Sequence, residues 1–238
     1  MISLRNVSKA FRTVHGSKVI LDDVSIDFSP GVNVGILGRN GQGKSTLIRM
    51  ISGTETPDSG EIRKSARVSW PLGFNVGFNS KLSGRENIRF VCRLYGENYR
   101  ELVDFVEDFA ELGDYMDMPV MTYSSGMKAR LTFGLSMAFH FDFYLIDELT
   151  AVGDAVFRKK SEACFAERRK QATLLVVSHS MGTVRKFCDK ALVLYQGKLL
   201  DFSDIDLAEE FYLRECCGIA VAKRPSAKRA DSGGFHAA

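Results

Sequence analysis

The sequence predicts an α/β fold in which a parallel sheet with helical crossovers is preceded by an antiparallel β subdomain and interrupted by an inserted α-helical one. Short apolar, β-branched runs recur at Val32–Leu37, Phe143–Ile146, Thr173–Val177 and Ala191–Tyr195. They are near-continuous rather than alternating, as strands buried on both faces of a parallel sheet are. Helical patterns lie between them, which calls for crossover connections. Before the first of these strands, Ile2–Val7 and Val19–Phe28 alternate apolar with polar residues, the pattern of an antiparallel sheet with one face solvated. The stretch from about Ser83 to His140 reads as helix throughout.

That helical stretch opens with Ser83-Gly84-Arg85-Glu86, a capping box in which the Ser83 hydroxyl and the Glu86 carboxylate satisfy each other's backbone donors. Behind it Ile88, Val91, Cys92 and Tyr95 share one helix face, and Leu102, Phe105, Val106 and Phe109 share the next. Both stripes are core. Met116, Met118 and Met121 cluster in the following loop, either as filler packing or as an adaptable partner surface.

At 238 residues, with 45% hydrophobic and 26% charged residues, the chain has the composition of a soluble globular domain able to bury a sizeable core. A net charge of +3 gives no footprint for a specific nucleic-acid partner. No apolar run approaches the ~20 residues needed to span a bilayer. The N-terminus, Met1-Ile2-Ser3-Leu4-Arg5, lacks the regions of a signal peptide. A membrane role is therefore expected only through a partner. The odd set Cys92, Cys164, Cys188, Cys216 and Cys217, without metal-ligand spacing, fits a reducing compartment. Cys92 and Cys164 read as small hydrophobes on apolar faces, and the Cys216-Cys217 pair as a solvated helix end. Residues 216–238 read as a disordered basic tail, with Lys223, Arg224, Lys228 and Arg229 among Ala, Pro, Ser and Gly.

The chemistry is concentrated in three places. Gly38-Arg39-Asn40-Gly41-Gln42-Gly43-Lys44-Ser45 follows an expected strand and opens an expected helix, Lys44–Ile51, with Thr46 in its first turn. The glycines let the backbone N–H groups point inward around phosphate, and the helix N-terminus adds partial positive charge. Lys44 is expected to reach the β- and γ-phosphates of ATP, and the Ser45 hydroxyl to bind Mg2+. Phe143–Ile146 ends in Asp147 and Glu148. Asp147 stands where a strand's carboxyl end meets a ligand, suited to the Mg2+ shell, and Glu148 is the candidate general base for the attacking water. Thr173–Val177 runs into Ser178-His179, and a shared sheet would aim His179 at the γ-phosphate.

With those residues in place, Tyr123-Ser124-Ser125-Gly126-Met127-Lys128 resembles the signature motif of the ATP-binding cassette family in a variant form. It heads a helix and offers further N–H groups to phosphate. Ala151-Val152-Gly153-Asp154 resembles the family's D-loop, and His179 its switch histidine. Phe11 stands where the family places an aromatic residue on adenine; a core Phe in a small sheet is the equal alternative. Asn79, in Phe78-Asn79-Ser80, replaces the family's glutamine, one methylene longer, so a contact to Mg2+ from here is direct or through water. The resemblance runs from Ile2 to about Leu213. It implies a P-loop NTPase (RecA-like) core within a nucleotide-binding domain over 1–215, and a helical subdomain at about 80–140.

Several stretches bring the chain closer to the ATPase subunits that export capsular polysaccharide across the bacterial inner membrane. They are Ser69-Trp70-Pro71, Leu82–Asn87, Phe105–Gly113, Asp117-Met118-Pro119, Tyr123–Met127, Gly134–Phe139 and Thr150–Ala155. Exporters of O-antigen often add a C-terminal carbohydrate-binding domain, which a chain of this length is not expected to hold. The resemblance implies an ATP-sandwich homodimer, in which a second copy's Ser124–Met127 faces Gly38–Ser45. It also implies integral-membrane permease subunits as partners and a peripheral place on the cytoplasmic face of the inner membrane. The rival readings are a repair or translation ATPase of the same superfamily and a nucleotide-gated module without turnover.

Overall fold

The computed structural model describes residues 1–14, 16–72, 78–147, 155–178 and 180–219. Glu148, Asp154, His179 and residues 220–238 of the expected tail lie outside them. Among the described residues the strands, in chain order, are β1 (Ile2–Thr13), β2 (Gly16–Phe28), β3 (Val34–Leu37), β4 (Ser59–Lys64), β5 (Val68–Leu72), β6 (Phe143–Asp147), β7 (Thr173–Val177), β8 (Lys190–Tyr195) and β9 (Lys198–Phe202). Three of them form an antiparallel sheet in the order β2-β1-β4, and six form a second sheet in the order β5-β6-β7-β3-β8-β9. In the second sheet only the edge strand β9 is antiparallel. The α/β class and the antiparallel N-terminal sheet are as the sequence predicts.

The parallel strands are buried on both sides because their residues alternate between two cores. From β6, Phe143 and Leu145 join the core that also holds Leu47 and Ile51, while Tyr144 and Ile146 join the core of Leu131 and Leu135. In β7, Leu175 and Val177 take the first side, and Leu174 and Val176 the second. This is the period of two expected of a strand, with both phases apolar. The first core lies between the antiparallel sheet, helix α1 (Lys44–Ser52) and one face of the large sheet; the second carries the helices of the inserted segment.

Strands β4, β5 and β9 escape the sequence pattern for separate reasons. Ser59–Lys64 is polar and solvated along most of its length. Pro71 sits inside β5, which is tolerated because β5 is an edge strand with a register shift between Val68 and Pro71. β9 returns from β8 through Gln196 (φ 48°) and Gly197 (φ 79°), a two-residue turn with both central residues left-handed, which matches strand twist.

The inserted segment contains α2 (Gly84–Tyr95), α3 (Tyr99–Ala110) and α4 (Ser125–Ala138). The expected capping box is present, with Glu86 N donating to Ser83 Oγ at 3.2 Å and Ser83 N to Glu86 Oε2 at 2.8 Å. Helix does not run throughout, however. Gly96 ends α2 and Glu111 ends α3 in left-handed conformations, and only two 3-10 turns, Gly113–Asp117 and Val120–Thr122, lie between α3 and α4. Gly113 (φ 53°) and Pro119, which bridges back to Ser83, explain the interruption. Helices α5 (Ala155–Arg168), α6 (Met181–Phe187) and α7 (Ile205–Phe211) complete the chain order.

Trp70 of β5 fastens the inserted helices to the sheet. Its ring stands edge-on to Tyr95 of α2 (centroids 5.2 Å apart), Phe139 (5.3 Å) and Phe141 (5.2 Å). Its indole N–H donates to Ser136 Oγ of α4 at 2.8 Å, and that hydroxyl donates to Thr132 O at 2.8 Å. Trp70→Phe removes the donor and part of the ring from a buried site. The expected cost is about 2 kcal/mol, read as a lower urea midpoint by far-ultraviolet circular dichroism.

Candidate functional site

The site is organised by register. Ile36 of β3 and Asp147 of β6 are both level with Val177 of β7, which lies between them. The loop after β3, the carboxylate of Asp147 and the segment after Val177 therefore leave the sheet from one carboxyl edge. Two strand spacings, about 10 Å, separate the axes of β3 and β6. This is the edge at which open α/β sheets bind ligands. Glu148 follows directly on β6 in the sequence and His179 follows β7 after Ser178; both lie outside the described residues.

The loop 38–45 depends on glycine at positions where no other residue fits. Gly38 (φ 155°) would bring a Cβ to 2.9 Å from Leu194 O, and Gly43 (φ 108°) one to 2.2 Å from Ile20 Cγ2. Gln42 closes the loop, its Oε1 accepting from Arg39 N at 2.9 Å. Lys44 is buried, with Nζ inside the loop donating to Gly38 O at 2.6 Å and Arg39 O at 3.0 Å. α1 starts at Lys44 with no side-chain cap and no acid in its first turn, which holds Ser45 and Thr46. Its leading N–H groups and dipole thus remain directed at whatever the loop holds, an anion above all. Asn40 and Gly41 form the exposed outer bend.

β2 forms one wall of this loop. Ile20 packs under Gly43, and Lys18 Nζ lies 3.5 Å from where a Cβ on Gly41 would stand. Phe11 is directly opposite Lys18 in the β1–β2 pair, so its ring projects from the same face as Lys18. It is 36% exposed, which corrects the core-Phe alternative. Lys9 Nζ sits 5.1 Å from the ring centroid. Glu55 at 2.7 Å, Thr56 O at 2.8 Å and Asp58 at 3.2 Å fix that ammonium.

Residues 124–127 stand elsewhere. Ser124 caps α4, its Oγ accepting from Met127 N at 3.2 Å, and Ser124 and Ser125 are exposed. A Cβ on Gly126 would meet only Ser124 Oγ, at 3.9 Å. α4 packs in the core opposite to that of α1, so the structure does not bring 124–127 and 38–45 to one face of the chain.

Residues 21–151 match the ABC transporter family. The chain is 50% identical over 204 residues to the polysialic acid transport ATP-binding protein KpsT of Escherichia coli, spanning 85% of this chain and 91% of that one. The chain belongs to the ABC transporter family. It is also 48% identical to the capsule polysaccharide export ATP-binding protein CtrD of Neisseria meningitidis serogroup B, over 89% of this chain and 98% of that one. Its fold matches the dimeric ATP-binding cassette MJ0796, solved in a post-hydrolysis state with ADP and Pi, with a TM-score of 0.72 at 20% identity over 85% and 98% of the two chains. As an ABC ATPase it binds and hydrolyses ATP.

Two features of this ABC ATPase are not legible from motifs. Asn87, fully buried, holds the loop around Asn79: its Nδ2 lies 3.1, 3.3 and 2.8 Å from the carbonyls of Asn79, Leu82 and Ser83, and its Oδ1 accepts from Asn79 N at 2.9 Å. Asn79's own Oδ1 accepts from Lys81 N at 3.0 Å. The second is the π-helical turn Tyr212–Cys216, which continues α7. Cys216 is buried, correcting the solvated helix end expected there: one widened turn rotates it inward. Burial raises its thiol pKa, as does Cys217, while Arg39 and Lys44 draw it down. Burial and then Cys217 push the Tyr212 phenol up to about 12, with Arg39 opposing. The C-terminal turn thus lies within electrostatic reach of the loop 38–45.

Gly43→Ala is expected to abolish measurable ATP binding by calorimetry while leaving the circular dichroism spectrum intact, since only the loop must move to relieve the contact with Ile20. Asn87→Ala strips the buried support from the loop 79–83. Loss of these bonds from a buried side chain should cost about 2–3 kcal/mol in denaturant unfolding.

Proposed function

We propose that this chain is the ATP-hydrolysing subunit of an exporter that moves capsular or related surface polysaccharide across the bacterial inner membrane through a separate permease. The observation that carries the reading is identity near one half, over nearly the whole length, to proteins named for polysialic acid and capsule polysaccharide export. No helix among the described residues is long and apolar enough to cross a membrane. In this reading the chain sits peripherally on the cytoplasmic face of the inner membrane, held there by the permease. O-antigen is the alternative cargo.

In this reading the loop 38–45 holds the ATP phosphates through its backbone N–H groups and those of Thr46, with the Lys44 ammonium on the β- and γ-oxygens. Phe11, backed on its ring by Lys9, carries the adenine. Ser45 and Asp147 are oxygen donors at the same sheet edge, a set that suits magnesium. Magnesium bound with ATP neutralises charge on the phosphate oxygens. The Asn79 amide joins that shell through water or its second lone pair. Glu148 accepts a proton from the attacking water, and His179, two residues past the end of β7, steadies the γ-phosphate.

Ser124, Ser125, Gly126 and Met127 act on a second copy. Their exposed helix N-terminus lies across the sheet from the loop of its own chain, so each ATP is closed by residues 124–127 of the partner subunit, with Asp154 at the junction. Two phosphate-binding surfaces come together only with ATP between them, and hydrolysis reopens them. The helical subdomain near Asn79–Arg85 passes this motion to the permease. Specific activity should therefore rise with protein concentration; a rate strictly linear in concentration would argue against a shared site. Glu148→Gln is expected to lower turnover by at least about 100-fold with ATP still bound, measured by phosphate release. A deletion strain should lose surface polysaccharide and regain it with the wild-type gene but not with E148Q. Normal capsule on the deletion strain would sink the export reading.

A further inference from the structure

Lys18 carries a charge that the fold does not use. Asp22, the acid four residues on, pairs with Lys198 at 3.0 Å, and Asp23 accepts from Asn6 Nδ2 at 3.0 Å. Among the described residues the exposed Lys18 ammonium has neither a hydrogen bond nor an ion pair. Lys9 gives the contrast. It precedes Phe11 by two residues, is buried, and has Glu55, Asp58 and Thr56 O around its ammonium. One lysine beside Phe11 is therefore spent on structure, while the other stands free at the wall of the phosphate loop.

The position of Lys18 is fixed from two directions. Its cross-strand partner is Phe11, and Ile20, two residues on, is wedged against Gly43. These contacts hold this end of the strand in place beside the loop. Nζ then lies beside Gly41, in the part of the loop where glycine leaves the backbone bare. The outer bend there is exposed, open to a flexible four-carbon side chain.

We infer that Lys18 is a further nucleotide-binding residue, supplying from β2 a second ammonium to the polyphosphate chain of ATP at the outer bend of the loop, beside the one Lys44 supplies from within. The inference rests on the reading of 38–45 as the ATP site. It assigns to β2 a recognition role for charge, in addition to its packing role through Ile20. Lys18 acts on binding, so kcat at saturating ATP should be nearly unchanged while KM rises.

The test is calorimetric titration of the full-length chain and of Lys18→Ala and Lys18→Arg with a non-hydrolysable ATP analogue, ADP and AMP, at low and high salt. K18A is expected to weaken the ATP analogue about five-fold, the upper end for an exposed charge pair. The loss should be smaller for ADP, absent for AMP, and reduced by salt, and K18R should restore affinity. Wild-type affinity of K18A for the ATP analogue overturns the inference. So does an equal loss for all three nucleotides, which would make Lys18 part of the base platform. A wild-type chain that bound none of them would instead overturn the reading of the ATP site itself.

Discussion

Because β7 runs in register between β3 and β6, with Ile36 and Asp147 both level with Val177, the sheet delivers its reactive segments to one edge. No side chain need reach far. The hydrogen-bonded ladder holds neighbouring strands about 4.8 Å apart, and the residues that follow each strand inherit that spacing. Both faces of these strands are sealed by apolar side chains, so a shift along the ladder would expose buried leucines and valines. The geometry of the carboxyl edge is in that sense protected by the hydrophobic effect acting well below it.

The second constraint is the closeness of the antiparallel sheet to the loop 38–45. Ile20 fills the space that a side chain at position 43 would take, which makes glycine obligatory there for packing as well as for its positive φ. The small sheet is thus part of the loop's wall. It brings Lys18, with Phe11 opposite it, to the loop, although neither lies within residues 38–45.

Much of this was legible in the sequence, and the exceptions have physical causes. The strands ending near Gly38 and Asp147 announce themselves because doubly buried strands are apolar at every position. β4 and β5 do not, since one is solvated and the other carries Pro71 at a sheet edge. The capping box at Ser83 could be read because its partners are three residues apart. Asn87 could not be singled out as a hub, since its bonds go to backbone groups. Lys18 looked like any surface lysine, for its place depends on the pairing of β1 with β2 and on a glycine more than twenty residues away. The inward turn at Cys216 was hidden because a single widened helical turn leaves no compositional trace.

One further consequence follows from the seam between sheet and helices. Trp70 is the chain's only tryptophan, and it touches β5, α2 and α4 at once through Tyr95, Phe139 and Ser136. Any rotation of the helical layer against the sheet alters the packing and hydrogen bonding of this one indole. The protein therefore contains its own optical gauge: one indole, excitable apart from the seven tyrosines, whose colour and lifetime would report any change in the angle between its two layers.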